Sequence, residues 1–229
     1  MARKKDINGR SSTTATRRER EKARRREDIL HAARQVFFER GIHRATVDDV
    51  AQQAEVSKGT VYLYFDSKEA ILAYLLLEGL DLLVTDLEAA YAPSESISAL
   101  HRLQRLARAY LKFFQDHPPY LHLLLAFDQG RFTESISPEL YEETLSSSLR
   151  GFEWLVRALE QGHIDGTLVV RDARLAASLL WAGVNGVLML LDHPLRREMI
   201  GTQLDAVYAA MVDVLIKGLQ ETTDESRIE

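Results

Sequence analysis

Three helix-start signals, at Thr46, Ser57 and Asp66, crowd into one short stretch and constrain the fold more tightly than any other feature of the sequence. Upstream, from Arg24 to Gly41, Ile29, Ala33, Val36 and Phe37 recur at helical spacing, with Leu30 and Ala32 widening the apolar stripe. Gly41 suits the left-handed position that stops a helix. The Thr46 hydroxyl can then cap free backbone N–H groups of a second helix, whose dipole Asp48 and Asp49 favour. Val47, Val50, Ala51 and Ala54 form the inner face of that helix, which runs only to about Ala54. A third helix follows Glu55-Val56, with Ser57 as N-cap and Val61 and Phe65 spaced to pack inward. Lys58, Thr60, Tyr62 and Tyr64 surround the rest of it. Asp66-Ser-Lys-Glu69 reads as a capping box opening a fourth helix.

Two short helices joined by a tight turn suit reading of a DNA major groove: the first braces against the backbone and the start of the second faces base edges. Gly59 has no side chain to hold that start away from a duplex. Charge supports a polyanionic partner once it is divided along the chain. Residues 1–26 hold 11 Lys/Arg against 3 Asp/Glu, a net of +8, which leaves −13 for the remainder of a chain whose total is −5. A basic arm of this kind binds phosphates by releasing condensed counterions, although a basic tail with no partner at all reads the same way. The sequence has no cysteine, which excludes disulfides and zinc-thiolate sites. No apolar run approaches the roughly 18–20 residues of a membrane span, and the charged N-terminus lacks the apolar stretch of a signal peptide. The expectation is a cytoplasmic protein with no membrane partner.

These residues resemble the TetR (TetR/AcrR) family of regulators. The likeness lies in Ile29-Leu-His-Ala-Ala33, Phe37, Gly41, Thr46-Val47, Val50-Ala51, Val56-Ser-Lys-Gly-Thr-Val-Tyr-Leu-Tyr-Phe65, Lys68-Glu69 and Leu72. It is detailed over about residues 25–75. One departure is Glu55, where the family commonly has glycine; a left-handed Glu55 carries strain of order 1–2 kcal/mol. The resemblance implies that Lys58, Gly59 and Thr60 sit at the groove-facing start of the recognition helix. It implies that Tyr62 reaches a base or phosphate, and Tyr64 a phosphate. Thr46 and Lys68 would bind phosphates at two further helix starts. Thr46 can equally be only a cap, Tyr64 a cover for the core, and Lys58 and Lys68 ordinary solvated lysines.

Beyond residue 67 the chain reads as helix after helix: Asp66–Tyr91, Ser96–His117, Tyr120–Phe127, Ser137 to about Gln161, then 173–191 and 203–220. Pro93 and Pro118-Pro119 interrupt the series, and Pro138 marks a first helical position. No segment alternates convincingly as a strand. The fold class is therefore all-α: an N-terminal three-helix DNA-binding domain with a helix-turn-helix, plus a larger helical ligand-binding and dimerisation domain. The divisions are a basic disordered arm over 1–24, the helix-turn-helix domain over 25–72, a regulatory and dimerisation domain over 73–221, and a flexible tail over 222–229.

In 173–191, Ala176, Leu180, Gly183, Val187 and Leu190 fall at steps of 4, 3, 4 and 3; in 203–220, Leu204, Val207, Met211, Val214 and Gly218 fall at 3, 4, 3 and 4. Further apolar residues broaden both faces beyond a single packing seam. That surface is either intramolecular core or the interface of a homodimer, and the resemblance implies the dimer, built from the last two long helices of each subunit. Two recognition helices then require a roughly palindromic double-stranded operator. The resemblance also implies an apolar pocket for a small-molecule effector, with Tyr110, Phe113, Phe114, Phe127, Trp154, Trp181, Asn185 and Met189 as candidate lining; each can instead be ordinary core. Asn185 stands out because an amide on an apolar helix must find a partner.

Catalysis is not expected. None of the seven histidines forms a metal-binding pair, His117 and His122 are separated by Pro118-Pro119, and no nucleophile elbow, phosphate loop or dinucleotide fingerprint occurs. No metal and no cofactor are expected. The function implied is a sequence-specific transcriptional regulator, a repressor released from its operator by a small, largely apolar ligand. The alternative is a DNA-binding factor controlled by a protein partner, or acting architecturally.

Overall fold

The structure, a computed structural model, describes residues 9–131 and 134–220. Ten helices follow in order among them: α1 (Gly9–Arg40), α2 (Val47–Gln53), α3 (Lys58–Tyr62), α4 (Lys68–Tyr91), α5 (Ala99–Asp116), α6 (Pro118–Asp128), α7 (Pro138–Ile164), α8 (Ala173–Asp192), α9 (Pro194–Ile200) and α10 (Leu204–Gly218). No strand occurs among the described residues, as the lack of alternation predicts.

The chain divides into two compact units. The first takes the described residues up to Leu76 together with Ala126–Tyr141; the second takes Leu77–Leu125 and Glu142 onward. The division at residue 72 expected from sequence therefore moves to 76, and a later segment, 126–141, joins the first unit. Its reason is burial: Leu140 packs with Ala70 and Ala73, and Tyr74 and Ile136 close over them.

In the first unit the α1 stripe is buried as its spacing requires, with Ile29, Ala33, Val36 and Phe37 almost wholly covered. Gly41 ends α1 at φ +82°. Thr46 caps α2 through a complete capping box: its hydroxyl accepts from the Asp49 N–H, and the Asp49 carboxylate accepts from the Thr46 N–H at 2.9 Å. Ala54 closes α2, and Glu55 takes the left-handed conformation at φ 54°. Ser57 caps α3 by accepting from the Thr60 N–H. The cap of α4 lies one residue later than expected, on Ser67 rather than Asp66, because the Ser67 hydroxyl accepts from the Ala70 N–H at 3.0 Å.

The arm differs most from expectation. Predicted as disordered over 1–24, it is helical from Gly9, continuous with the core-packing part of α1. From Arg10 to Arg40 there is neither Gly nor Pro, while Arg, Glu and Ala, all strong helix formers, abound. Residues 1–8 of the arm and the expected tail over 222–229 lie outside the described residues.

In the second unit α5 carries a strongly one-sided apolar face, burying Leu103, Leu106, Tyr110, Phe113 and Phe114. Gly79 admits the Tyr120 ring: a Cβ there would stand 2.4 Å from the ring's Cδ1. Gly183 on α8 lies against α10, where a Cβ would meet Met211 Sδ at 2.8 Å. The α8 stripe read as a seam is largely core, since Ala176, Leu180 and Val187 are buried. The exposed apolar residues are its neighbours Leu175, Leu179, Ala182 and Met189, together with Leu190 of the expected stripe itself. On α10 the expected stripe divides: Val214 is 68% exposed and Gly218 exposed, Leu204, Val207 and Met211 are half-buried, and Tyr208, Val212 and Ile216 point inward. Residues 173–192 also correct the reading that no segment reaches membrane-span character. By length and mean hydropathy (1.6) α8 is long and apolar enough to span a membrane, as a core helix can also be, and a third of that window is buried inside the protein.

Candidate DNA interface and apolar cavity

The seven residues singled out from sequence all fall in the first unit, on or beside α2, α3 and the start of α4. α3 is held by Val61, which is fully buried, and by Phe65 just after it. With those side chains inward, the opposite side of α3 is presented outward. Tyr62 is 44% exposed and Lys58 and Gly59 are exposed. Thr60 is half-buried, its hydroxyl 2.8 Å from that of Ser57. A Cβ on Gly59 would meet nothing closer than Ser57 Oγ at 3.8 Å. Nothing among the described residues therefore demands glycine there.

The electrostatics of the site are local. Lys58 donates to the Asp48 carboxylate at 2.8 Å, and that hydrogen bond raises its pKa above the ordinary lysine value. Asp49 is held below the usual carboxylate range, chiefly by the hydrogen bond from the Thr46 hydroxyl and also by the Thr46 N–H and Arg40. Arg40, on the last turn of α1, donates to Asp49 and so ties α1 to α2. Thr46 serves as a cap and is also exposed. Lys68 is half-buried, its ammonium 5.5 Å from the Phe37 ring centroid, and burial lowers its pKa. Tyr64 is half-buried and lines a cleft with Arg18, Lys22, Arg24 and Arg25 of α1. The arm's net charge was the signal in the sequence for the basic residues of that cleft, and nothing in the sequence singled out Arg40.

The second unit encloses a cavity of about 100 Å³ among α4, α5, α6, α7, α8 and α10. Its walls include Leu80, Leu83, Leu103, Tyr110, Ser148, Leu180, Trp181, Tyr208 and Ile216, and no charged side chain lines it. Two of the eight candidates, Tyr110 and Trp181, reach this wall. Asn185 stands directly behind it: the Tyr110 hydroxyl donates to Asn185 Oδ1 at 2.9 Å, and Asn185 Nδ2 donates to the Trp181 carbonyl at 2.9 Å. The remaining candidates are elsewhere. Phe113 and Phe114 pack edge-to-face with each other, centroids 5.2 Å apart. Trp154 lies against Tyr91, Phe127 stacks on Tyr141 within the first unit, and Met189 faces outward, 48% exposed. Tyr208 was missed because its place in an apolar helix hides the hydroxyl, which donates to the Ala107 carbonyl at 2.8 Å; burial drives its pKa upward.

Comparison with known proteins bears on both parts. Residues 29–75 match the family model of bacterial regulatory proteins, tetR family, and residues 103–215 match that of the tetracyclin repressor-like C-terminal domain. The chain is 27% identical over 195 residues to the HTH-type transcriptional repressor DhaR of Mycobacterium sp. (strain GP1), covering 82% of this chain and 92% of that one. The TetR family transcriptional regulator PfmR of Thermus thermophilus is 29% identical with a TM-score of 0.63, covering 84% of this chain and 99% of PfmR. The transcriptional regulator FadR of Bacillus subtilis, solved in complex with stearoyl-CoA, shares the fold at a TM-score of 0.62 and 23% identity, covering 85% and 99%. The two matched domains take in both the helix-turn-helix and the helical region after it, and the chain belongs to the TetR family of DNA-binding transcriptional regulators.

Proposed function

We propose that this protein is a cytoplasmic repressor that binds a roughly palindromic operator as a homodimer and is released from it by a small, largely apolar ligand. The observation that carries the DNA reading is the outer side of α3. Lys58, Gly59 and Tyr62 lie exposed together there, with Thr60 beside them, over a helix anchored from behind by Val61. Lys58, Thr60 and Tyr62 supply donors to base edges or phosphates, and Gly59 lets the backbone come close. Thr46, Tyr64 and Lys68 are the proposed phosphate contacts around them.

Dimerisation is inferred through α8 and α10, whose outward stripes hold Leu175, Leu179, Met189, Leu190 and Val214. Pairing these faces in a second copy removes apolar surface from water at about 25 cal/mol per Å². The effector reading rests on the apolar cavity of the second unit, where Tyr110, backed by Asn185, would give the polar contact and Leu80, Leu103 and Trp181 the apolar one. At about 100 Å³ the cavity is smaller than the roughly 300 Å³ of a drug-sized site, so a ligand must open it. Release then requires that ligand to prefer the DNA-incompetent state.

The test is selection of bound duplexes from a random pool, repeated with Lys58→Ala and Tyr62→Ala. A short inverted repeat is expected from the wild type and lost in both variants. Enrichment of no sequence, or of a single asymmetric site, contradicts the reading.

A further inference from the structure

We infer that residues 17–28 of α1 form a preformed helical arm that binds the DNA sugar-phosphate backbone beside the helix-turn-helix. This rests on the DNA reading above and adds a second contact surface that the recognition helix does not include. From Arg17 onward, Ile29 is the first buried residue of α1, so residues 17–28 stand ahead of the core; all of them are exposed except Arg26, which is half-buried. Residues 17–28 contain seven Lys/Arg against four Asp/Glu, a net of +3.

Three observations separate this arm from an ordinary solvated charge run. Arg18, Lys22 and Arg25 recur at i, i+4 and i+7 on one face and line a cleft completed by Tyr64 of the helix-turn-helix segment. Although Glu21 and Asp28 share that cleft, its four basic residues leave it net positive. Arg26 fixes the helix where it leaves the core, its guanidinium 4.0 Å from the Tyr74 ring centroid and 5.0 Å from that of Phe65. Arg17 and Glu21 pair at 3.5 Å across one turn, a small local support to the exposed helix. A helix of these twelve residues is a rod of about 18 Å, long enough to carry its cations along several phosphates in a fixed register with α3.

The chemistry of the arm selects its partner. Ala23 is the only apolar residue from 17 to 28, so the arm offers no side chain to bury in a protein partner and no apolar face to sink into a membrane. Guanidinium and ammonium groups on a polar rod fit a phosphate backbone, and this contact is blind to base sequence.

The experiment uses the duplex enriched from a random pool by the full wild-type chain, titrated at several salt concentrations. Arg18→Gln/Lys22→Gln/Arg25→Gln removes charge without threatening the fold. It is expected to flatten the salt slope by about 2–3 for each subunit bound, at roughly 0.9 per phosphate contact, and to weaken binding at least tenfold. Ala23→Pro keeps every charge but breaks the helix at an exposed position six residues before the core. It is expected to weaken binding at least fivefold with an unchanged thermal midpoint. A triple variant that binds with the wild-type slope overturns the inference. So does a weakened triple variant accompanied by a normal Ala23→Pro, because the charges then act as a flexible tail. A wild-type chain that enriches no duplex sinks the helix-turn-helix reading and this inference together, whereas variants that bind like a competent wild type sink this inference alone.

Discussion

The Lys58 ammonium donates to the Asp48 carboxylate at 2.8 Å, so the first residue of α3 is held by the helix before it. Both groups are more than half exposed, and the pair is correspondingly weak. A phosphate competing for Lys58 must displace Asp48 and meets that negative charge nearby. Asp48→Asn is expected to tighten binding to duplex DNA about 3–10-fold at low salt, an advantage that shrinks as salt screens it. Fluorescence titration across ionic strengths checks this; an affinity equal to wild type at low salt would show that Asp48 does not restrain Lys58.

The turn between α2 and α3 is strained at Glu55, whose φ of 54° is one that L-residues adopt at a cost. Glu55→Gly removes that cost and adds unfolded-chain entropy, so the expected net gain is about 0.5–1 kcal/mol in denaturant unfolding. Gly41→Ala runs the other way, because Gly41 sits at φ +82°; a loss of about 1 kcal/mol is expected.

Gly79 is required by contact rather than by backbone conformation. Gly79→Ala would place a methyl group against the Tyr120 ring, which is buried and whose hydroxyl donates to Glu78 at 2.7 Å. The helix-propensity gain of alanine, about 1 kcal/mol, is opposed by overpacking of about 1–3 kcal/mol. Net destabilisation by chemical denaturation is expected, and Tyr120→Leu in the same chain should restore part of it.

Acid weakens the capping box. The Asp49 pKa is depressed, first by the Thr46 hydroxyl, so its contribution is fully present above the ordinary value of 3.8 and is lost as pH falls below it through the folded-state pKa. The thermal midpoints of wild type and Asp49→Asn should differ by a constant amount at neutral and mildly acidic pH, and converge below about pH 4. A gap that persists in strong acid would mean the Asp49 charge is not what stabilises α2.

A dimer built on the outward stripes of α8 and α10 is sensitive to single charges. Leu179, 58% exposed, and Val214 are positions where glutamate costs the isolated subunit little. Leu179→Glu or Val214→Glu is expected to yield monomers in sedimentation and to weaken operator binding at least tenfold. Mutants that stay dimeric would place the interface elsewhere.

Local chemistry was legible in the sequence where its cause is local. Gly41 and Glu55 take left-handed conformations, and Thr46 and Ser57 cap their helices, because each depends on residues within a turn. The cap of α4 falls one residue later, on Ser67, because two adjacent residues could both cap it. The basic composition of α1 suggests a solvated tail, while its residue types favour the helix it forms.

Inward and outward faces were harder to assign. Phe113, Trp154 and Met189 share the bulk expected of a pocket wall, yet each has another neighbour or faces outward, while Tyr208 lines the cavity unannounced. On α8, periodicity marked one stripe, broadened by further apolar residues, and could not say which part of that face is core, because Leu175, Leu179, Ala182 and Met189 beside it repeat at helical spacing too.

By itself, then, the sequence determined the all-α class, the helix-turn-helix and its ends, since caps, dipoles and φ preferences act over one turn. Only the tertiary structure decided where α1 leaves the core, which stripe of α8 stays exposed and which side chains wall the cavity. Those depend on what packs against each face, and burial is a property of residues distant in the chain.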